Sequence, residues 1–576
     1  MEIFSKPSQR ANLGHTGHDL SQLNKFTSTT GELLPVYYTL VYPNDKISLR
    51  SELKTRTMPL NSAAMVSLKE HIDWFAVPLD QLYKFFSQQY YGILDNHSSI
   101  FDTRSLVEDF PLVDSSLFTE FFYSSLDAPD EYFNGSNIEG KSLLGSHVRF
   151  LEFLDVPLND YGSDHYNVFP YSINPFLLAA YNKIYMDYFR LTDREKNEPR
   201  SYNLDISYDS PDVSEDFLLH ALKLRYRPKG QDFFTHLYVS PLFKGGPGSS
   251  DVGSSPSQSI VNQFQQWLVP AAYSVEGTPV VGAGNSYVQP VVSNYDDVRK
   301  ALSPQAIRTS FAVSKLLEVT RRAGKHIDQQ TLAHFGVKPS KYITGEVRHL
   351  GHHSQKLVIG DVVSTAETNE AALGQIGGKG YGYGKSSKIT YKNEEACPVI
   401  IMAIYSAEVE MDYKVTGLGR FNTYTSMADF YNPVFDNLGM QPLFGYQSFL
   451  NPNPNALATW NNKILGWQYR WMESKVKHNR VLGNLARQLD YWTVYTPYMT
   501  SQLNSFLVSP FSLDSIMVTP YTFNAKGANT LAAIGLNPGT DIYEKSNAFE
   551  TDPLFHELYI DAKLSSTMST YGLEKL

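Results

Sequence analysis

Two stretches near opposite ends of the chain alternate strictly between apolar and polar residues, and this constrains the fold more than any other feature. In the first, Ile47, Leu49 and Leu53 lie on one face and Ser48, Arg50, Glu52, Lys54 and Arg56 on the other. In the second, Leu558, Ile560, Ala562 and Leu564 oppose Tyr559, Asp561 and Lys563. A period of two is the signature of a half-buried strand. A third candidate begins as a continuous apolar run, Val399 to Ile404, and goes on with Glu408, Glu410 and Asp412 opposed to Val409, Met411 and Tyr413. Such a strand emerges from a core towards solvent. Leu33–Val41 and His71–Val77 add two more candidates, rich in aromatic and β-branched residues. Strands therefore bracket the chain.

The middle reads differently. Asn174-Pro175 is a helix start, followed by Leu177, Ala180, Tyr181, Ile184 and Tyr188 at helical spacing. Ser303-Pro304 repeats that signal, Ile307, Phe311 and Leu317 supply a stripe, and Arg321, Arg322 and Gly324 supply a dipole-matched end. Residues 244–259 are almost all Gly, Pro, Ser and Asp and read as a surface loop. At 576 residues the chain exceeds one ordinary core. The strand–insertion–strand order favours one β-sandwich with long insertions over a string of domains. The expected layout is an N-terminal arm over 1–32, first strands over 33–90, helix and loop insertions over 91–340, and the remaining strands over 341–576. The arm is polar and is expected to order only on assembly. The single cysteine, Cys397, excludes an intrachain disulfide. The longest apolar run, Cys397–Ala407, is too short to span a bilayer, and the opening residues lack a signal core, so a soluble protein made in a cytoplasm is expected.

Several motifs, in chain order, resemble those of Microviridae major capsid proteins. They are Arg10–Ser21 ending His18-Asp19-Leu20-Ser21, then Asp73-Trp74-Phe75-Ala76-Val77-Pro78 with Leu82-Tyr83, then Pro175-Phe176 through Ala180-Tyr181-Asn182 to Tyr188-Phe189-Arg190. Asp232-Phe233-Phe234-Thr235, the Ser303–Gly324 segment and His334-Phe335-Gly336-Val337 are similar to gokushovirus-like members. Asp429-Phe430-Tyr431, Asn479-Arg480-Val481 with Gly483, and Leu558-Tyr559-Ile560-Asp561 follow. The chain departs from those members at residues 244–259 and at Tyr342-Ile343-Thr344-Gly345. The resemblance implies a mainly β fold, an eight-stranded jelly-roll β-sandwich with long helical and loop insertions. It also implies about sixty copies in a T=1 icosahedral shell around circular single-stranded DNA. Implied partners are a pilot protein, an internal scaffolding protein, a small DNA-binding protein and a host surface receptor. The protein would reside in the virion, without membrane insertion, cofactor or enzymatic activity. A carbohydrate-binding or carbohydrate-active β-sandwich is the alternative, since 13% aromatic residues and acidic strands suit sugar stacking.

The net charge of −10 makes any DNA contact local. From 463 to 487, Lys463, Arg470, Lys475, Lys477, Arg480 and Arg487 accompany one acid, Glu473, and are interleaved with Trp467, Tyr469 and Trp471. Cations beside aromatic faces suit single-stranded DNA. Packing within the shell, with cations bridging to neighbours, is the competing reading. The Gly-rich stretch 374–386 lacks Walker A spacing and reads as a flexible inter-strand loop or inter-subunit arm, whose Lys379 and Lys385, with Lys388, could touch DNA. His349, His352 and His353, and the pair His15 and His18, are read as surface or interface residues rather than metal ligands. Glu408, Glu410 and Asp412 are read as a solvated strand face. There is no Gly-x-Ser-x-Gly and no His-Glu-x-x-His.

Overall fold

The alternating stretches become strands of one antiparallel assembly in the computed structural model, which describes residues 14–57, 65–91, 110–113, 150–160, 166–190, 196–238, 312–363, 376–433, 440–452, 461–488 and 554–570, with short breaks within these spans. In chain order the strands are β1 (Thr16–Asp19), β2 (Gln22–Ser28), β3 (Leu34–Val41), β4 (Lys46–Thr57), β5 (Leu68–Pro78), and the two-residue β6 (Asn159–Asp160) and β7 (Tyr166–Asn167). They continue with β8 (Arg348–Val363), β9 (Ile376–Lys385), β10 (Ile389–Lys392), β11 (Val399–Val409), β12 (Tyr413–Lys414), β13 (Met440–Phe444), β14 (Ile464–Tyr469), β15 (Arg480–Val481) and β16 (Leu554–Ser566).

Ten of these form the main sheet. Because β1 and β2 lie end to end along β16, and β9 and β10 end to end along β4, the ten strands make eight rows. Numbered along the chain, rows 1-8-3-6 form one layer (β1/β2, β16, β4, β9/β10) and rows 2-7-4-5 the other (β3, β11, β5, β8). This is the jelly-roll β-sandwich. β8 links the layers: Arg348–Leu357 pairs with β5, and Val358–Val363 turns away to pair with β9.

The register follows from the alternation. β4 and β16 pair from Thr57↔Leu554 to Lys46↔Ser565, which puts Ile47, Leu49, Leu53, Leu558, Ile560 and Leu564 on one buried face. Each such side chain contributes about 1.5–3 kcal/mol on full burial. β11 is central in the other layer, between β3 and β5, which explains why Val399–Tyr405 is apolar on both faces.

Two expectations need correction. The Gly-rich stretch 374–386 is not a flexible loop, since residues 376–385 form β9. From Gly378 onward its glycines recur at every second position, and Gly380, Gly382 and Gly384 face the interior. A Cβ on Gly380 would lie 2.4 Å from Thr57 and 2.7 Å from Leu357, and one on Gly384 would lie 2.4 Å from Gln355. The strand needs glycine because side chains of its neighbour β4 and of β8 already fill the space a Cβ would take. The arm is also partly ordered within the subunit: β1 and β2 pair with β16, with Leu558↔Asn24 and His18↔Leu564 in register.

The long insertions follow β5 and β11. Helix α1 (Phe86–Tyr91) follows β5 after a 3-10 turn, Leu79–Gln81, and helix α2 (Phe176–Ile184) comes later with Asn174 Oδ1 accepting the Phe176 N–H at 2.8 Å. Leu178 to Ile184 are all buried, more than the expected single stripe, and the helix runs into a π-helical turn, Tyr185–Phe189. Tyr181 Oη donates to Leu33 O and accepts from Arg225 N–H, both at 2.9 Å, tying this insertion to β3. A second compact unit comprises residues 236–340 and 419–476. It holds the hairpin β13–β14 and helix α3 (Ile327–Phe335), closed by Gly336 at φ 73°. Of the helix expected over Ser303–Gly324, most lies outside the described residues, as does the 244–259 loop; Gly324 sits at φ 94°.

Filling the inward face of β9 should be costly. Gly380→Val is expected to destabilise the subunit by about 1–3 kcal/mol through overpacking. Gly360→Ala, whose Cβ would meet only Lys379 O at 4.0 Å, should fold normally. Urea denaturation of the two variants separates a packed strand from a loop, in which both would be neutral.

Candidate assembly and nucleic-acid surfaces

Between the layers lies a polar knot. Glu70 of β5, 1% exposed, accepts hydrogen bonds from Thr55 Oγ1 (2.7 Å) and Tyr405 Oη (2.9 Å) on Oε1, and from Gln355 Nε2 (2.6 Å) on Oε2. The imidazole of His556, on β16, lies 2.9 Å from Thr55 Oγ1 through Nδ1 and 2.8 Å from Ser28 Oγ through Nε2. Since the Thr55 hydroxyl spends its hydrogen on Glu70, Nδ1–H donates to Thr55, and because burial keeps the ring neutral Nε2 is left to accept from Ser28. Burial pushes His556 down to about 3, and burial raises Glu70 above the ordinary carboxylate value against the pull of its three donors.

A second ionic group lies nearer the surface. Asp73 accepts from His352 Nδ1 at 2.7 Å and His349 Nε2 at 3.2 Å, and pairs with Arg227 Nη1 at 3.0 Å. Burial opposes its charge, but the two histidine hydrogen bonds and the guanidinium outweigh burial and hold Asp73 well below the usual carboxylate range. His353, two strand positions from Gly351, points instead to Ser51 Oγ at 3.2 Å. Among the described residues, no group of three or more His, Cys, Asp or Glu side chains is arranged to hold a metal. The acids at and just beyond the end of β11 are not simply solvated, as their alternation suggested. Glu408 is largely buried, 3.4 Å from His71 and 3.9 Å from Arg227, Glu410 pairs with Lys69, and burial raises Asp412.

The basic and aromatic segment 463–487 does not form one surface within one unit. Lys463, Trp467, Arg470 and Lys475 belong to the second unit, and Lys477, Arg480 and Arg487 to the jelly-roll unit. Trp471 is buried at φ 56°, its Nε1–H donating to Asp429 O at 3.0 Å, with the Arg470 guanidinium 4.5 Å from its ring centroid. Trp467 is half-buried in β14, where its backbone pairs with Tyr238. These aromatics pack. Lys463, Lys475, Lys477, Arg480 and Arg487 are exposed.

Lys379 and Lys385, by contrast, join a surface that reading along the chain missed. The outward face of β9, β4, β16 and β2 carries aligned rows. Tyr381, Arg56, Phe555 and Thr27 stand side by side, and the next row is Tyr383, Lys54, Glu557 and Lys25. A third is Lys385, Glu52, Tyr559 and Leu23. Tyr381, Tyr383, Phe555 and Tyr559 are 49%, 54%, 40% and 43% exposed. Only the strand pairing brings them together, across separations that no local pattern spans.

A phage capsid protein (F protein) family model matches residues 8–107 and 156–524 of this chain. The chain belongs to that family. The capsid protein VP1 of Chlamydia phage 1 is 20% identical over 587 residues, covering 88% of this chain and 92% of the relative. The capsid protein VP1 of Spiroplasma virus 4 is 24% identical over 388 residues, covering 58% and 66%. With the jelly-roll order, these matches make the chain a Microviridae major capsid protein, a structural component of the virion, and the carbohydrate-binding alternative is not favoured. No helix among the described residues is long and apolar enough to cross a membrane.

The capsid subunit's polar knot has a defined acid response. Above the ordinary histidine value of 6.5 the imidazole of His556 is neutral whether the chain is folded or not. Below it the unfolded chain takes up a proton that the folded subunit refuses until about pH 3, so stability falls as pH drops through that window. The slope contributed by one proton is at most about 1.4 kcal/mol per pH unit. Glu70 acts in the opposite sense, since a raised carboxyl adds stability at low pH that is lost as pH rises through its folded value. In urea titrations of the unassembled subunit at pH 7, 6, 5 and 4, His556→Gln is expected to flatten the decline. An unchanged slope would show that the imidazole is already protonated in the folded state.

Proposed function

We propose that the subunit assembles as about sixty copies into a closed T=1 icosahedral shell around circular single-stranded DNA, working by geometry rather than by catalysis. The observation that carries this reading is the two-layer order 1-8-3-6 over 2-7-4-5, interrupted by long insertions, in a chain of the capsid family. The sandwich supplies a rigid wedge and the insertions supply lateral contact. Phe335, Ile343, Phe421 and Met427 are each at least 70% exposed in the isolated subunit, suiting burial against symmetry mates. A subunit held by several neighbours gains from effective concentration, so each contact can be modest.

The net charge of −10 opposes DNA packaging by this chain alone. A small basic DNA-binding protein, an internal scaffolding protein and a pilot protein complete the particle in this reading, and an exposed insertion meets the host receptor. Lys463, Lys475, Lys477, Arg480 and Arg487, with Lys379 and Lys385, are the cations offered to the genome, while Trp467 and Arg470 serve packing first. Expression with the genomic neighbours, followed by electron microscopy and sedimentation, should give closed uniform shells. Stable monomers with every assembly partner present would refute the proposal. Lys475→Gln/Lys477→Gln/Arg480→Gln should lower packaged DNA per shell without unfolding the subunit, and particles with normal DNA content would remove these residues from the contact.

A further inference from the structure

We infer that the outward face of β9, β4, β16 and β2 is a seat for single-stranded nucleic acid, in which bases lie on Tyr381, Tyr383 and Phe555 and phosphates meet Lys25, Arg56 and Lys379. The inference rests on the proposal that the shell encloses single-stranded DNA, and it locates the contact.

The first support is charge. In a chain of net charge −10, Arg50 stands opposite Asp561 and Lys379 lies beyond the rows on β9, while the three rows themselves carry Lys25, Lys54, Arg56 and Lys385 against Glu52 and Glu557. Both acids are engaged. Glu52 accepts from Lys385 at 3.0 Å and from Tyr383 Oη at 2.5 Å, and Glu557 lies 3.8 Å from Lys54. Further along β16, Asp561 offsets Lys563 at 3.7 Å. Lys25, Arg56 and Lys379 have no carboxylate within ion-pair distance among the described residues. The surplus is therefore cationic and unspent, matching a polyanion.

The second support is shape and ring placement. Lys25, Lys54, Arg56 and Phe555, with Glu557 as the acid, line a depression of about 430 Å3 at one end of the face. Tyr381 and Tyr383 are two positions apart on one strand, so their rings repeat at roughly 7 Å along it. Arg56 separates Tyr381 from Phe555 across the strands, so each ring borders a cation. Alternating rings and cations fit bases and phosphates without sequence preference. A neighbouring subunit would need a carboxylate-rich face to balance the surplus.

Ultraviolet irradiation of assembled particles, followed by digestion and mass spectrometry, tests the seat directly. Nucleotide adducts are expected on peptides containing residues 379–385 and 554–559. Lys25→Gln/Arg56→Gln and Tyr381→Ala/Tyr383→Ala should each reduce those adducts several-fold while shells still close. DNA-filled shells with adducts only elsewhere would overturn the inference. So would variants that fold but cannot assemble, which would make the face a contact between copies. If the unaltered chain forms no shells, the assembly reading fails and the seat is decided on the subunit alone. There, fluorescence anisotropy with a twenty-nucleotide oligothymidylate should show a salt dependence shallower by about 1.4 in log–log slope for Lys25→Gln/Arg56→Gln, two phosphate contacts at about 0.7 each. Equal slopes would overturn it.

Discussion

The two layers of this capsid subunit are locked by a carboxylate that has no access to water. Glu70 receives side-chain hydrogen bonds from β4, β8 and β11, and the neutral His556 extends the network to β16 and β2. Hydrophobic burial brings the layers together but does not choose among neighbouring registers. A one-residue slip of β4 or β5 would leave Thr55, Tyr405 and Gln355 with unmatched buried donors, at about 1–3 kcal/mol each. The apolar interior thus supplies cohesion and the polar knot supplies uniqueness.

That division explains the glycines of β9. Where side chains as large as Gln355, His353 and Leu357 cross the interior to reach their partners, the facing strand has no room for a Cβ. The space surrendered inside is balanced outside, since the alternate positions of the same strand carry Lys379, Tyr381, Tyr383 and Lys385. One strand therefore meets two demands with its two faces.

Much of the sandwich was legible from alternation, because a strand with one wet face writes its period into the chain. β4 and β16 could be read this way, β11 by its continuous apolar run, and the Asn174 start of α2 by its cap. β9 was misread because glycine is usually a sign of turns, and only its spacing of two, at Gly380, Gly382 and Gly384, distinguished it. The segment 463–487 misled in the opposite direction: Trp471 near Arg470 looks like a stacking platform, yet burial of the ring is a tertiary fact with no local signature. The outward face was invisible for a related reason, since Phe555, Arg56 and Tyr381 become neighbours only once β16 and β9 flank β4.

The placement of β16 between β2 and β4 also governs how the chain must be made. Thr55 and His556, partners in the finished core, are 501 residues apart. At ribosomal rates that gap lasts roughly 25–100 s. Throughout that interval β2 and β4 have emerged without the strand that separates them, each presenting an unpaired edge able to recruit the wrong partner. The subunit's most vulnerable moment is thus built into the jelly roll itself, and a crowded cell synthesising many copies at once needs something to shield those edges until the final strand arrives.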